Sequence, residues 1–431
     1  MQIKFLHAAD LHLGSPFKGL HNVNPSLGKK LRKASFVAFD NMVDAAIEDE
    51  VDFVLIAGDS FDSGSGDLQA QFFFLRGMNT LREKGIPVYL ITGNHDPLNK
   101  WSENLKMPDN VILFSGEKPE VYDFLKDGKV AAKIIGMSYS QREVFDNLAA
   151  YYPNGDPGIL SIALLHGNRG TDTGHQPYSP FALDDLRRHA NTDYWALGHI
   201  HKREVLSDQN PCAVFPGNIQ GRHFNEDGEK GCYLVEFDGK KRNDFRFVPL
   251  SEFIFQRVEV DCSKVGDIGA FTEKLEEVAS ELLEGKSGTS FILRPVLIGM
   301  TEMFVALQNH QQVDELFREI NNRSLHRASI VHFDSPVNKT LPSVNLEERA
   351  KSDDFFADLL RDFKALLSDD IETKGIIDEI NEEITGNTKR MLSGEIEKVN
   401  KDNGEREELI RSARNVAVAA LLEQKNRGND N

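Results

Sequence analysis

Two periods of apolar and polar positions alternate along residues 1–250. Short apolar runs at 3–8, 53–57, 88–91, 111–114, 131–136, 160–165, 194–197, 214–215 and 232–237 read as buried strands. Between them, residues 25–49 place Phe36, Phe39, Val43, Ala46 and Ile47 at helical spacing. Residues 68–84 form a second helical stretch and 181–189 a short third one. Phe72, Phe73 and Phe74 fall inside the second helix, where they read as packing rather than a base-stacking platform. This order predicts an α/β fold, a sandwich of two sheets with helices outside.

The pattern changes near Ser251. Strand-like stretches at 253–260, 291–298 and 329–333, with helices at 268–283 and 313–320, predict a small α+β domain. Beyond Pro342 the chain turns acidic and helical. Phe355, Phe356, Leu359, Leu360, Phe363, Leu366 and Leu367 make one apolar stripe, and Leu409, Ala413, Val416 and Ala420 make another. The expected domains are 1–252, 253–336 and 337–431.

Five predicted strands end in residues able to bind a metal ion or move a proton. In order these are Asp10-Leu11-His12, Gly58-Asp59, Gly93-Asn94-His95-Asp96, His166 and Gly198-His199-Ile200-His201. In sheets covered by helices, sites are built at this edge. The candidate ligands are Asp10, His12, Asp59, Asn94, His166, His199 and His201, with His95 and Asp96 beside them. Oxygen and imidazole donors without thiolate suit Mn²⁺, Fe²⁺, Zn²⁺ or Mg²⁺. Seven donors exceed one four-coordinate ion and suit two ions sharing a carboxylate. Asp10 and His12, two apart on an extended chain, are expected to point the same way, and His199 and His201 to repeat that geometry.

Charge and cysteine content narrow the partners. The 431 residues carry a net charge of −18. Residues 1–250 hold 33 acidic and 27 basic side chains, net −6; residues 251–431 hold 35 and 23, net −12. A protein that coats nucleic acid by charge alone would be basic. Any such binding here must be local, metal-assisted or shared with a partner. Cys212, Cys232 and Cys262 are far apart and form no Cys-x-x-Cys, which fits a reducing cytoplasm rather than a disulfide framework. No stretch has the ~20 apolar residues of a membrane span, and the first residues read as a strand rather than a signal peptide.

These motifs, in this order, resemble the calcineurin-like metallophosphoesterases. Residues 6–14, 57–62 and 194–202, with Pro216-Gly217-Asn218-Ile219-Gln220-Gly221-Arg222, are most similar to the bacterial SbcD-type DNA repair exonucleases and their YhaO-like branch. The resemblance covers residues 1–250; the later regions match in layout only, as a capping domain followed by helices. It implies a metallophosphoesterase sandwich with two Mn²⁺ ions. One would be held by Asp10, His12, Asp59 and His201, the other by Asp59, Asn94, His166 and His199. It implies His95 as the catalytic imidazole, oriented by Asp96. Asp62 stands three residues after Asp59, where some relatives outside bacteria have a His. The resemblance further implies DNA as substrate, a homodimer, and an SMC-like ATPase whose coiled coil binds the C-terminal helices. Other readings are a phosphoesterase for nucleotides or cyclic nucleotides, and a non-catalytic scaffold for the ATPase. A scaffold needs none of the eight residues from Asp10 to His201.

Other polar groups have two readings each. Lys18, Lys29, Lys30, Arg32 and Lys33 form either a solvated helix face or phosphate contacts. Arg169, Lys202, Arg203 and Arg222 lie in strand-end loops within reach of a substrate. His7, His21, His175, His189 and His223 belong to no motif and read as surface or core. Ser63-Gly64-Ser65-Gly66 reads as a rim loop rather than a phosphate loop.

Overall fold

Buried strands and amphipathic helices need opposite partners, and the computed structural model supplies both. It describes residues 1–15, 17, 25–62, 68–100, 106–170, 177–285, 288–324, 329–368, 370–384, 396, 399 and 402–429. These divide into two compact units, one of Met1–Arg257, Gly285–Leu293 and Leu325–His332, the other of Val258–Glu284, Arg294–Ser324 and Phe333–Asn431.

The first unit is a mixed α/β sandwich. Strands β1 (Gln2–Ala8), β2 (Phe53–Ala57), β3 (Val88–Ile91) and β4 (Val111–Leu113) run parallel. The other sheet takes β5 (Glu120–Lys126), β6 (Lys129–Gly136), β7 (Leu160–His166), β8 (Tyr194–Gly198), β9 (Glu204–Ser207) and β10 (Cys212–Phe215). Its order is β5-β6-β7-β8-β10-β9, with β6, β7, β8 and β10 parallel. Strands β11 (Gly231–Asp238) and β12 (Lys241–Pro249) return to the first sheet, giving β12-β11-β1-β2-β3-β4.

The inner faces of the sheets share one apolar core. Phe5 stacks on Phe53 with ring centroids 5.2 Å apart and meets Tyr194 edge-on at 5.3 Å. His7, fully buried, bonds the Tyr194 hydroxyl through Nδ1 at 2.9 Å. Burial pushes its imidazole down to about 3, so it sits there neutral. Cys212, Cys232 and Cys262 are free and buried.

Helix α1 (Pro25–Leu31) and helix α2 (Ala34–Glu48) replace the single helix expected over 25–49. The break at Arg32 and Lys33 lets the halves bury different faces. Leu27 and Leu31 pack with Phe224, Phe253 and Phe255, whereas Phe39 and Met42 pack on the outer face of the first sheet with Leu6 and Val54. Helix α3 (Leu68–Glu83) joins the latter cluster through Phe74 and Met78. Its aromatic run divides by helical rotation. Phe74 is buried, Phe73 packs on Phe36 at 4.6 Å, and Phe72 is 65% exposed. The strands that the apolar pattern did not show, β5, β9 and β12, lie at sheet edges and carry exposed polar residues.

The second unit carries helices Ile268–Leu283 and His310–Ser324, which meet through Phe271 and Phe317 at 6.1 Å. Its C-terminal helices include Phe355–Leu366, Asp370–Glu383 and Asn403–Asn429. Asp354 caps the first by accepting the Ala357 N–H. Leu360, Val418, Ala419 and Phe304 form an apolar cluster. The second apolar stripe, Leu409, Ala413, Val416 and Ala420, remains exposed. The helix packs instead through Val418 and Ala419, with Ile410 also buried; these positions are rotated round from the stripe. Among the described residues, no helix is long and apolar enough to cross a membrane.

Phe53 makes ring contacts with Phe5, Tyr89 and Phe124 at zero exposure. Phe53→Ala is expected to lower the unfolding free energy of the first unit by about 3–5 kcal/mol, read from urea melts by intrinsic fluorescence. A loss below about 1 kcal/mol would show that the inter-sheet core closes around the gap.

Candidate metal centre

The parallel strands β1, β2 and β3 of one sheet and β7 and β8 of the other all deliver polar residues at their carboxyl ends. His166 is the last residue of β7; the others follow their strands by one to three residues. The chain there is not extended, contrary to the reading of Asp10 and His12 as an extended pair. Asp10, His12, Asp59 and His199 have φ of 51°, 43°, 52° and 99°. Left-handed backbone of this kind costs of order 1–3 kcal/mol per residue and persists where its surroundings enforce it. Here the enforcement is visible: the Asp10 N–H donates to Gly58 O at 3.1 Å and the His12 N–H to Asp59 O at 3.0 Å. The loops after β1 and β2 thus lock each other.

Two glycines admit the close approach. Gly58 takes φ +92°, and a Cβ on Gly93 would overlap both Asp59 Oδ1 and His166 Nε2.

The candidate ligands converge as two groups. Asp10, His12 and His201 form one; Asp59, His166 and His199 form the other, fully buried. Either is able to hold a metal ion. Asp59 Oδ2 lies between them, 3.4 Å from His166 Nε2 and 3.9 Å from His12 Nε2. Asn94 Oδ1 lies 3.1 Å from His166 Nε2 and 3.0 Å from His199 Nδ1. Both oxygens of Asp10 accept the His199 N–H, at 3.0 and 3.1 Å. Asp59 Oδ1 accepts the His95 N–H at 2.9 Å.

The donor set fits a cation. His166 donates Nδ1–H to Ala57 O at 2.9 Å, so its neutral ring turns an Nε2 lone pair toward two acceptor oxygens. Either a second proton or a metal ion resolves that repulsion. Burial pushes the His166 imidazole down, but Asp59 beside it prevails and holds it up at about 9. Burial drives the His12 imidazole down to about 3. Burial and then the Asp59 charge push the Asp96 carboxyl up to about 8. His12 Nε2 and His201 Nε2 face each other at 2.9 Å. Nitrogen and carboxylate donors of this kind suit a divalent ion.

His95 differs from the ligands in being 32% exposed. Its Nδ1 lies 2.6 Å from Asp62 O and 3.9 Å from Asp62 Oδ1. Asp96, expected to orient that ring, uses its oxygens on backbone, accepting Gly93 N–H at 2.9 Å and Ser60 N–H at 2.8 Å. It therefore shapes the turn that carries His95, while Asp62 meets the imidazole.

Arg222 reaches the centre, unlike the other strand-end cations. Its guanidinium bonds Asp62 Oδ1 at 3.0 Å and Glu226 Oε1 at 2.9 Å. Glu226 in turn lies 2.6 Å from His201 Nδ1. Reading the sequence missed Glu226, which belongs to no motif; its spacing of four from Arg222 was the available signal. Arg169 pairs with Glu204 at 2.7 Å, Arg203 lies over the Phe247 ring, and Lys202 is exposed. Lys29, Lys30, Arg32 and Lys33 are solvated. His189 packs on Trp195, and His223 lies 3.5 Å from Glu226 Oε1. Lys18, His21, His175 and residues 63–66 lie outside the described residues.

Gly93→Ala is expected to keep the fold yet bind a divalent ion at least about tenfold more weakly by calorimetry, because the added methyl displaces Asp59 or His166. Unchanged affinity would mean that the loop yields without moving either side chain.

Comparison with known proteins bears on the same residues. The model of the calcineurin-like phosphoesterase family matches residues 3–203, which contain all seven candidate ligands. The metallophosphoesterase YhaO of Bacillus subtilis is 35% identical over 371 residues, covering 86% of this chain and 89% of that protein. The DNA double-strand break repair protein Mre11 of Sulfurisphaera tokodaii is 25% identical, covering 65% and 69%. SbcD, the protein that completes the nuclease SbcCD of Escherichia coli, is 24% identical, covering 64% and 74%. The two sheets flanked by helices match the calcineurin-like phosphoesterase fold. By sequence over most of its length and by architecture, the chain belongs to the calcineurin-like metallophosphoesterases, a family of metal-dependent phosphoester hydrolases.

Proposed function

We propose that the protein is a two-metal phosphodiesterase that cleaves DNA, as an exonuclease or endonuclease in DNA repair, together with an SMC-like ATPase. The observation that carries this reading is Asp59, whose Oδ2 lies within 4 Å of a ring nitrogen from each ligand group. One ion would be held by Asp10, His12, Asp59 and His201, the other by Asp59, Asn94, His166 and His199. Mn²⁺ is the ion we propose. Such ions, when bound, lower the pKa of a bound water and neutralise charge on phosphoryl oxygens.

The protein's own groups supply position and a proton. The His95 Nδ1–H donates to the Asp62 carbonyl, which leaves Nε2 to face the substrate. The Asp62 carboxylate, 3.9 Å from Nδ1, favours the charged ring. His95 Nε2 then gives its proton to the departing oxygen. Asp96 keeps that imidazole in register by fixing the Gly93 turn.

The substrate and partner rest on similarity and surface. The relatives named for DNA repair and for a nuclease support a DNA substrate. Net charge −18 makes affinity for DNA alone weak and salt-sensitive, so a partner is needed to hold it. The exposed Phe355, Leu409 and Val416 offer that partner's coiled coil an apolar helix face. A homodimer and a cytoplasmic location complete this reading. The same acidic balance favours a second one, hydrolysis of small nucleotides or cyclic nucleotides.

One assay separates them: labelled duplex DNA and a generic phosphodiester, each with Mn²⁺ and with chelator, with and without the ATPase. Mn²⁺-dependent cleavage of duplex DNA is expected; cleavage of the small diester alone, with the partner present, would favour the second reading. His95→Asn is expected to bind both ions and to lose about 10²–10⁴ in kcat; near-normal turnover would remove His95 from the chemistry. Truncation from Asn345 is expected to leave metal binding intact and abolish ATPase binding by size-exclusion chromatography. Retained binding would move the interface elsewhere.

A further inference from the structure

Two of the four candidate histidine ligands are fixed at Nδ1 by different kinds of group. His166 donates to the Ala57 carbonyl, which the strand pairing of β2 holds in place. His201 lies beyond the end of β8, and its Nδ1 faces Glu226 Oε1 at 2.6 Å. A carboxylate only accepts, so Nδ1 carries the proton and Nε2 is left for an ion.

Glu226 is itself held on all sides. Its carboxylate is 5% exposed. Arg222 Nη2 donates to Oε1 at 2.9 Å, and Oε2 accepts the Arg222 N–H at 2.9 Å and Asn218 Nδ2 at 3.0 Å. The same guanidinium crosses the centre. Its Nη1 donates to Asp62 Oδ1 and to Ser15 Oγ, both at 3.0 Å. Asp62 Oδ1 lies 3.4 Å from His12 Nδ1. One planar fork therefore ties the carboxylate behind His201 to the carboxylate behind His12. The Asp59, His166 and His199 group has no such strap among the contacts described.

We infer that Glu226 and Arg222 are positioning residues for one ion only, the ion at Asp10, His12 and His201, whose ligands a side-chain network rather than strand backbone holds in place. This rests on the two-ion reading proposed above. Arg222 cannot be replaced by lysine in this role, because a point-like ammonium does not span two carboxylates with fixed geometry.

The test uses the full chain stripped with chelator and titrated with Mn²⁺ alone, followed by calorimetry and by electron paramagnetic resonance of the bound ion. Wild type is expected to bind two ions. Glu226→Ala is expected to weaken one of them about 10–100-fold and leave the other unchanged. Glu226→Gln keeps an acceptor for the His201 Nδ1–H and is expected to restore at least half of that loss on a logarithmic scale. Arg222→Lys is expected to weaken the same ion, which keeps the question open to test should Glu226→Ala not fold. Unchanged affinities in the variants, equal losses at both ions, or no recovery with Gln would each overturn the positioning role while the two-ion reading stands. A wild type that binds no Mn²⁺ would overturn both.

Discussion

A buried carboxylate with two histidine groups around it is the constraint on which the centre depends. Asp59 is 1% exposed. An ionised carboxylate in such a place costs several kcal/mol unless charge and hydrogen bonds surround it. His166 and His12 supply the first and the His95 N–H the second. These groups come from four separate stretches of chain. Their convergence therefore requires every strand end to arrive at one edge.

The sandwich meets that requirement because its two sheets are cemented face to face. Phe5, Phe53, Leu164 and Tyr194 share the core between them, so β1 and β2 cannot shift against β7 and β8 without opening apolar surface. Packed interiors transmit small displacements rather than absorbing them. The strained residues at Asp10, His12, Asp59 and His199 are tolerated on this rigid base. The outer layers do different work. Helices α2 and α3 cover the first sheet, and the surroundings of Trp195 and Phe215 cover the second.

Around the buried centre lies a less uniform shell. On one side the supports are main-chain atoms: Ala57 O for His166, and the His199 N–H for Asp10. On the other they are side chains: Asp62, Arg222 and Glu226. Backbone supports survive substitution at their own positions, whereas side-chain supports do not. The exposed side of the centre is thus the one that sequence change can tune.

The sequence alone determined the ordered set of ligand-type residues and the buried strands that precede them, because burial on both faces forces continuous apolar runs. It also gave the α/β sandwich and the helices near 268–283 and 310–324, whose apolar periods are strong. It could not give β5, β9 or β12, since edge strands carry polar residues that mimic loops. Nor could it divide 25–49 into two helices, because the break reflects two separate cores rather than a breaker residue. Only tertiary structure put Asp62 rather than Asp96 against the His95 ring. The contact runs to a main-chain carbonyl 33 residues away, and a carbonyl has no side-chain signature. Only tertiary structure joined Glu226 to His201, for the same reason that pairs distant in sequence are invisible to spacing. The sequence names the donors; their separation, and so the chemistry open to them, is set by how two sheets pack.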